Sequence, residues 1–260
     1  MTVTATEAPR DVASHLLLDK VTAGYGGPPV IRDVCIGVER GKIAVVAGPN
    51  GAGKSTLVKA IMGQLKVTAG SVHLAGRNIT NDSAERIARH GIGYVPQSQD
   101  VFEDLTVWEN LEIGGYLLSK KKSHQRALEL LEIFPPLARM RHRTVGQLSG
   151  GERKMVAVGR VLMLEPSVLI LDEPTAGLSV PLTEQLFEVH VRALADTGTA
   201  VLLVEQKATE ALRVADWGYI LVSGEVEVSQ SAEEILGRAD IGEVFLGGSS
   251  SVVGDDDEEE

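Results

Sequence analysis

The sequence predicts an α/β fold with a parallel sheet, an antiparallel β region near the N-terminus and an α-helical insert. Short, nearly all-apolar runs at 42–47, 167–172 and 200–205 are typical of strands that are covered on both faces of a parallel sheet. Helical patterns alternate with these runs, as expected for such a sheet. Between 106 and 160 long amphipathic stretches replace the β-branched runs, which favours a helical insert.

The first elements along the chain are predicted to be strands. Mixed apolar and polar stretches at 15–21 and 30–38 have strand length, and the sequence GYGGPP between them predicts a loop. The strand at 42–47 ends at a glycine, and a helical pattern begins near Lys54. The next predicted elements are a strand at 71–75, a helix at 83–90 and a strand at 93–96.

The rest of the chain passes through helices and then returns to alternating strands and helices. Amphipathic stretches predict helices at 107–118, 123–133 and 150–164. A strand at 167–172, a helix at 182–196, a strand at 200–205 and a helix at 208–214 are expected to follow. The stretch 219–227 predicts a pair of strands joined by a turn at Ser223-Gly224.

Length and charge restrict the class of protein. The 260 residues suffice for one large domain or a core with a subdomain. The formal net charge is −11, and six of the acids form the closing run 255–260, so that the body carries about −5. We expect no nucleic-acid partner, because such binding requires clustered cations. The single cysteine, Cys35, cannot form an internal disulfide.

The sequence predicts a soluble intracellular chain. No apolar run approaches the 18 residues needed to cross a bilayer, and the first residues lack the pattern of a signal peptide. We expect a flexible N-terminus at 1–13 and a disordered acidic tail at 248–260. A single domain is predicted over 14–247, with a core and β region at 14–97 and 161–247 and a helical subdomain at 98–160.

A complete phosphate-loop motif lies between the strand 42–47 and the following helix. Its sequence GPNGAGKST satisfies G-x-x-x-x-G-K-[ST], a match that an ordinary glycine turn does not require. Backbone N–H groups and the helix N-terminus would hold phosphate oxygens, Lys54 would reach the β and γ phosphates, and Ser55 would ligate Mg²⁺. The predicted nucleotide-binding residues here are Gly48, Pro49, Asn50, Gly51, Ala52, Gly53, Lys54, Ser55 and Thr56. The α/β fold is therefore predicted to be a phosphate-loop ATPase core that uses ATP and Mg²⁺.

Two carboxylates, Asp172 and Glu173, follow the apolar strand 167–172. Ligands of open α/β sheets bind at the carboxyl ends of the strands. We expect Asp172 to hold Mg²⁺, directly or through water, and Glu173 to polarise the attacking water as the base. An Asp-Glu pair after a strand is more often the start of a solvated loop, and the phosphate loop in the same chain favours the catalytic interpretation.

The sequence LSGGERK at 148–154 opens a predicted helix. Ser149 and Glu152 have the spacing of a capping box, which would be a purely structural role. A cap does not need Gly150 and Gly151, each of which lowers helix propensity by about 1 kcal/mol relative to alanine. The two glycines therefore indicate close approach of another group to a helix N-terminus that can bind an anion.

Together these motifs resemble the ATP-binding subunit of ABC transporters over residues 14–247. The resemblance implies that LSGGE completes the ATP site of the opposite subunit in a head-to-tail dimer, through Ser149, Gly150, Gly151 and Glu152. It implies that Tyr25 stacks on adenine and that Gln97 contacts Mg²⁺ and the water. The implied catalytic set is Glu173, Lys54, Gln97 and Gln206, and the implied metal set is Ser55, Gln97 and Asp172.

Two positions depart from the usual family pattern. Gln206 stands where a histidine is usual after the strand 200–205, and Ser179 stands where the D-loop usually ends in aspartate. Glutamine can hydrogen-bond a γ-phosphate but cannot change charge near neutral pH, which predicts a slower or differently gated site. These forms, with Ile-Phe-Pro at 133–135 and the ending at 244–248, resemble the second ATPase subunit of branched-chain amino-acid importers and of their urea or amide relatives.

The resemblance implies the ATP-hydrolysing motor of an ABC importer on the cytoplasmic face of the membrane. The implied partners are a second ATPase subunit, permease subunits and, indirectly, a substrate-binding protein. Branched-chain amino acids are the first choice of substrate, and urea or amide import and lipopolysaccharide-type export stay open. The alternative from another class is a soluble ABC ATPase of translation or DNA repair. Such a protein would carry tandem cassettes or a long coiled-coil insertion, and this sequence has neither. A regulatory module with little turnover is favoured only by Gln206, and Glu173 argues against it.

Overall fold

The computed structural model describes residues 14–98, 101–178, 183 and 185–238. The predicted flexible N-terminus at 1–13, the predicted acidic tail at 248–260, the family-like ending at 244–248 and Ser179 lie outside the described residues. The domain boundaries placed at 98, 160 and 247 stay predictions.

Within the residues that the structure describes, ten strands form two sheets. The strands are β1 (Ser14–Ala23), β2 (Ile31–Glu39), β3 (Ile43–Ala47), β4 (Val67–Leu74), β5 (Arg77–Asn78), β6 (Ile92–Val95), β7 (Val168–Asp172), β8 (Ala200–Glu205), β9 (Trp217–Val222) and β10 (Glu225–Ser231). An antiparallel sheet has the order β2-β1-β4-β5. The central sheet has the order β10-β9-β3-β8-β7-β6 and is parallel except for β10. The predicted parallel sheet and antiparallel β region are both confirmed.

The central strands are apolar throughout because both faces of the sheet are covered. In β3, Ile43 and Val45 belong to the core that packs against the helices, whereas Ala44 and Val46 belong to the core beneath the antiparallel sheet. Strands β7 and β8 divide between the two cores in the same alternating way. The polar groups of these strands are consequently concentrated at the strand ends.

Helices cover the sheet and fill the segment between β6 and β7. They are α1 (Lys54–Ile61), α2 (Ala84–Arg89), α3 (Val107–Gly114), α4 (Lys120–Ile133), α5 (Pro135–Met140), α6 (Gly150–Leu162), α7 (Arg192–Asp196), α8 (Ala208–Leu212) and α9 (Ala232–Leu236). Helices α3 to α6 pack around Leu111, Phe134 and Leu137, which are buried in the same core as the helix-facing side of the central sheet. Within the described ranges no helix has the length and apolarity to span a membrane.

Some elements differ from those predicted. Strand β4 begins at Val67 rather than at residue 71, because pairing with β1 extends it across Gly70, where a side chain would collide with the Lys20 backbone. Strand β5 and helices α5 and α9 were not predicted from the sequence. Helix α5 begins with Pro135 and Pro136. The first turn of a helix accepts proline because its N–H groups have no partner within the helix. The helix predicted at 182–196 is a π-helix over Gln185–Val191 followed by α7, and periodicity over so short a segment does not separate the two helix types.

Candidate nucleotide site

The site is built where three neighbouring parallel strands end. Ala47 of β3 lies opposite Glu205 of β8, and Asp172 of β7 lies opposite Val204 of β8. The parallel register therefore brings the phosphate loop and the residues that follow β7 and β8 to one edge of the sheet. This is the edge at which open α/β sheets bind ligands.

The phosphate loop packs closely against its surroundings. A Cβ atom on Gly48 would lie 2.2 Å from the Leu221 carbonyl oxygen, so no side chain fits there. Gly53 has a φ of 106° and caps α1 without a side-chain hydrogen bond, which leaves the helix N-terminus open to a ligand. Pro49 and the buried Ala52 close the loop through a backbone hydrogen bond of 3.2 Å, and Asn50 and Gly51 are exposed at its tip.

Lys54 is folded back onto the loop. Its Nζ donates to the carbonyl oxygens of Gly48 at 2.7 Å and Pro49 at 3.1 Å, and the residue is only 6% exposed. Burial lowers the pKa of Lys54, whereas the negative charges of Glu173, Asp172 and Glu205 oppose that shift. The loop carbonyl oxygens thus hold the ammonium, and the charges of three carboxylates act on it.

The residues predicted to hold Mg²⁺ offer oxygen ligands at this edge. Ser55 is exposed at the start of α1, and Asp172 accepts a hydrogen bond of 3.2 Å from the hydroxyl of Tyr94. Burial is the main cause that raises the pKa of Asp172. A hydroxyl and carboxylates are the hard ligands that suit Mg²⁺. Tyr94, which the sequence analysis missed, reaches Asp172 from the adjacent strand β6.

Glu173 and Gln97 contact each other directly. The Nε2 atom of Gln97 donates to the Glu173 carboxylate at 2.7 Å, so two predicted site residues 76 positions apart in sequence are in contact. Glu173 has a φ of 43°, and its backbone N–H donates to the Val204 carbonyl oxygen at 2.8 Å. A left-handed conformation in a non-glycine residue is often retained at functional sites.

Gln206 and Tyr25 lie at the exposed margins of the site. The Gln206 side chain is exposed, and its backbone N–H donates to the Glu205 carboxylate at 3.2 Å. Tyr25 is 60% exposed, and its hydroxyl lies 3.5 Å from both the Thr56 hydroxyl and the Lys59 ammonium. The Lys59 ammonium lies over the Tyr25 ring, 5.6 Å from its centroid.

The LSGGE segment forms the predicted capping box. Ser149 accepts a hydrogen bond from the backbone of Glu152 at 3.4 Å, and the Glu152 carboxylate accepts one from the backbone of Ser149 at 2.8 Å. A Cβ atom on Gly150 would meet nothing within 4 Å, whereas Gly151 is buried. Within the described part of the chain, no hydrogen bond or ion pair joins 149–152 to the phosphate loop 48–56.

Lys154 and Glu205 are two further polar residues of the site that the sequence analysis missed. Lys154 of α6 is buried, and its Nζ donates to the backbone oxygens of Pro96 at 3.2 Å and Gln97 at 3.4 Å. Glu205 is 2% exposed at the end of β8 and accepts two hydrogen bonds from Thr175. No local motif marks either residue, because their partners are distant in sequence.

The hairpin turn between β9 and β10 supports the phosphate loop from outside. Ser223 and Gly224 have φ values of 49° and 88°, as in the two-residue turn predicted here. The Gly224 N–H donates to the Ala52 carbonyl oxygen at 2.9 Å, and its own carbonyl oxygen accepts from the Arg32 N–H at 2.9 Å. A Cβ atom on Gly224 would lie 2.0 Å from the Val30 carbonyl oxygen. The turn therefore connects the phosphate loop to the antiparallel sheet.

Comparison with known proteins identifies relatives over nearly the whole chain. The family model for ABC transporters matches residues 31–176. The chain is 37% identical over 233 residues, 90% of its length, to the whole of the high-affinity branched-chain amino acid transport ATP-binding protein BraG of Pseudomonas aeruginosa. It is 41% identical over 217 residues, 84% of its length and 92% of the relative's, to the probable branched-chain amino acid transport ATP-binding protein LivF of Archaeoglobus fulgidus. The lipopolysaccharide export system ATP-binding protein LptB of Escherichia coli is 33% identical over 235 residues, 89% of this chain and 97% of LptB.

Solved structures share the fold. The ADP conformation of an ATP-binding cassette of an ABC transporter superposes with a TM-score of 0.83 at 28% identity, over 90% of this chain and 99% of the other. A dimeric post-hydrolysis state of an ATP-binding cassette bound to ADP and phosphate superposes with a TM-score of 0.72 at 27% identity, over 84% of this chain and 98% of the other.

The hairpin turn yields a paired test. Gly224→Ala should destabilise the protein and weaken nucleotide binding, because the methyl group would overlap the Val30 carbonyl oxygen at 2.0 Å. Gly76→Ala is the matched control, since Gly76 has a φ of 78° in an equivalent turn with nothing within 4 Å. The control should cost roughly 1–2 kcal/mol for the left-handed conformation alone. Urea unfolding and titration with a fluorescent ATP analogue measure both variants, and equal losses would contradict the support role of Gly224.

Proposed function

Because the chain belongs to the ABC transporter family and is an ATP hydrolase, we propose that it is the motor subunit of a branched-chain amino-acid importer. The observation that carries the hydrolytic role is the meeting of Lys54, Asp172, Glu173 and Gln97 at one sheet edge. The substrate class rests on relatives named for branched-chain amino acid transport at 37% and 41% identity. Lipopolysaccharide-type export is less favoured, because the relative named for it is 33% identical. Urea or amide import stays an alternative.

We assign the phosphate chemistry to residues of the loop and to the two carboxylates. Lys54 would leave the Gly48 and Pro49 carbonyl oxygens and bind the β and γ phosphates, while the uncapped N-terminus of α1 donates to phosphate oxygens. Ser55, Asp172 and Gln97 would hold Mg²⁺. When bound, that ion neutralises phosphate charge, which matters in a site that already contains three carboxylates.

Glu173 is the proposed general base. Its carboxylate would accept a proton from the attacking water, and the hydrogen bond from Gln97 fixes its orientation before the nucleotide arrives. Gln206 would donate its amide to the γ-phosphate, and the exposed ring of Tyr25 would stack on adenine. The neutral Gln206 side chain gives this site no titratable group at the sensor position.

The partner subunit would complete the nucleotide site. The LSGGE segment makes no hydrogen bond to the phosphate loop within the described residues of its own chain, and the space in front of Gly150 is open. Such a helix N-terminus suits the γ-phosphate of a nucleotide that is bound to a second ATPase subunit. We therefore propose a head-to-tail dimer in which Ser149 to Glu152 act across the interface. The dimer would open and close with each hydrolytic cycle.

A groove between α3, α6 and β6 is the proposed docking surface for a permease subunit. A cavity of about 350 Å³ lies in this groove, and its lining includes the exposed side chains of Phe102, Ile113 and Tyr116. Exposed apolar clusters of this kind mark protein interaction sites. Tyr94 lines the same cavity and donates its hydroxyl to Asp172, so an occupant of the groove would contact a residue that touches the site. Binding there would place the subunit at the cytoplasmic face of the membrane, with a substrate-binding protein acting indirectly through the permease.

The hydrolytic assignment is tested with two variants of the assembled transporter. Lys54→Ala should abolish nucleotide binding or hydrolysis, because the phosphate charge would lose its cation. Glu173→Gln should retain ATP binding and slow hydrolysis by about 10²-fold or more, as expected on loss of a general base. The exposed Lys66→Ala serves as the control. Wild-type turnover of Lys54→Ala, with the partner's site inactivated, would refute the assignment.

The dimer model is tested with the signature residue. Ser149→Arg should impair hydrolysis at the partner's site, while the phosphate loop of the same chain still binds ATP. Single-turnover hydrolysis in heterodimers with one disabled site at a time separates the two effects. If the Ser149 change damaged only the site that contains Lys54 of its own chain, the head-to-tail arrangement would be wrong.

Permease docking is tested with a charge placed in the groove. Tyr116→Glu should reduce copurification with the permease subunits, because Tyr116 is 63% exposed at the cavity rim. Leu128→Glu on α4 is the control, since Leu128 is an exposed apolar residue that does not line the groove. Equal copurification of the two variants, at equal thermal stability, would place the docking surface elsewhere.

A further inference from the structure

Glu205 is a buried carboxylate that connects the segments following β7 and β8. One oxygen accepts hydrogen bonds from the backbone N–H of Thr175 at 3.0 Å and from its hydroxyl at 2.8 Å. The other accepts from the backbone N–H of Gln206 at 3.2 Å. Glu205 is 2% exposed and Thr175 is 1% exposed, so water does not compete for these bonds.

Stability alone does not account for this carboxylate. The ladder between β7 and β8 already holds the two strands together over residues 168–172 and 200–204. A buried ionised group is costly to desolvate, and an apolar pair of similar volume often stabilises a core as well or better. Burial raises the pKa of Glu205, and the negative charge of Glu173 adds to that shift. Because an ionised carboxylate is disfavoured at this buried position, we expect Glu205 to contribute to the geometry or the charge of the nucleotide site rather than to stability.

The positions of the residues that bond to Glu205 indicate which parts of the site it orients. Thr175 lies two residues after Glu173, and Gln206 is adjacent to Glu205. Glu173 itself has a left-handed backbone conformation and donates its N–H to Val204, so its orientation depends on how the following residues are held. The Ala176 N–H closes a turn onto the Glu173 carbonyl oxygen at 3.1 Å, so the bonds to Thr175 fix a residue inside the turn that begins at Glu173. The same carboxylate holds the backbone from which the Gln206 side chain extends.

We propose that Glu205 is a positioning residue that fixes Glu173 and Gln206 relative to each other through its bonds to Thr175 and to the Gln206 N–H. The inference rests on the proposed roles of Glu173 and Gln206 in hydrolysis. In this role the buried Glu205 acts only through these hydrogen bonds and transfers no proton. It keeps the base on one side of the γ-phosphate and the sensor amide on the other at a constant separation.

Two single variants and their combination test the coupling. Glu205→Gln retains the shape and removes the charge, and Thr175→Val retains the shape and removes the hydroxyl donor. Each should lower kcat about tenfold or more. Thr175→Val should change the Kd of a fluorescent ATP analogue less than twofold, because its hydroxyl bonds to Glu205 and not to the phosphate loop within the described residues. Glu205→Gln removes a negative charge that acts on Lys54, so it should bind the anionic nucleotide at least as tightly as the wild type does. The double variant should be no slower than the slower single variant by more than about twofold, since both changes weaken the same charge-assisted bond from the Thr175 hydroxyl to Glu205. Thr175→Ser keeps the hydroxyl and should retain most of the wild-type rate.

The outcomes separate this inference from the proposed function. A merely structural Glu205 would shift the urea midpoint of unfolding and leave kcat per folded molecule unchanged, which would overturn the positioning role. Multiplicative losses in the double variant would also overturn it. Lys54→Ala is measured in the same assays. If Lys54→Ala is inactive while Glu205→Gln hydrolyses ATP at the wild-type rate, only the positioning role fails; if Lys54→Ala retains activity, the proposed function fails.

Discussion

The parallel pairing of β3, β8 and β7 is the constraint on which the rest of the molecule depends. Because all three strands run in the same direction, their carboxyl ends lie at one edge, and residues from three distant parts of the sequence meet there. Both faces of these strands are buried in apolar cores, so polar side chains can be placed only where the strands end. Packing thereby decides where the chemistry is.

The electrostatic balance at that edge follows from the same arrangement. Two buried ammonium groups act on the carboxylates of this edge: the charge of Lys54 interacts with those of Asp172, Glu173 and Glu205, and the charge of Lys154 with that of Asp172. The three carboxylates still outnumber the two ammonium groups, so a divalent cation would favour the binding of a polyphosphate at this edge. The open N-terminus of α1 supplies the remaining positive potential without any side chain. The charged groups that a bound nucleotide would meet are therefore already in position in the folded chain.

The sequence alone was sufficient for features in which the chemistry is local. The phosphate loop, the Ser149–Glu152 capping box and the turn at Ser223-Gly224 are each encoded by neighbouring residues, and their backbone geometry agrees with the prediction. Contacts that close over long sequence separations were not predictable in this way. Tyr94 meets Asp172 across 78 positions, and Lys154 meets Pro96 across 58 positions. Nothing in periodicity or spacing marks such pairs, because tertiary packing alone brings them together.

The hairpin turn at Gly224 has a consequence for the order in which the protein forms. The phosphate loop is complete in sequence by residue 56, yet Ala52 obtains one of its backbone partners only from residue 224. The ribosome must therefore translate more than three-quarters of the chain before the Gly224 N–H can bond to the Ala52 carbonyl oxygen. Long-range closures of this kind are slow, and they leave strand edges exposed in the meantime. The backbone contacts of the phosphate loop are therefore complete only after the antiparallel strand pair at the far end of the chain has formed.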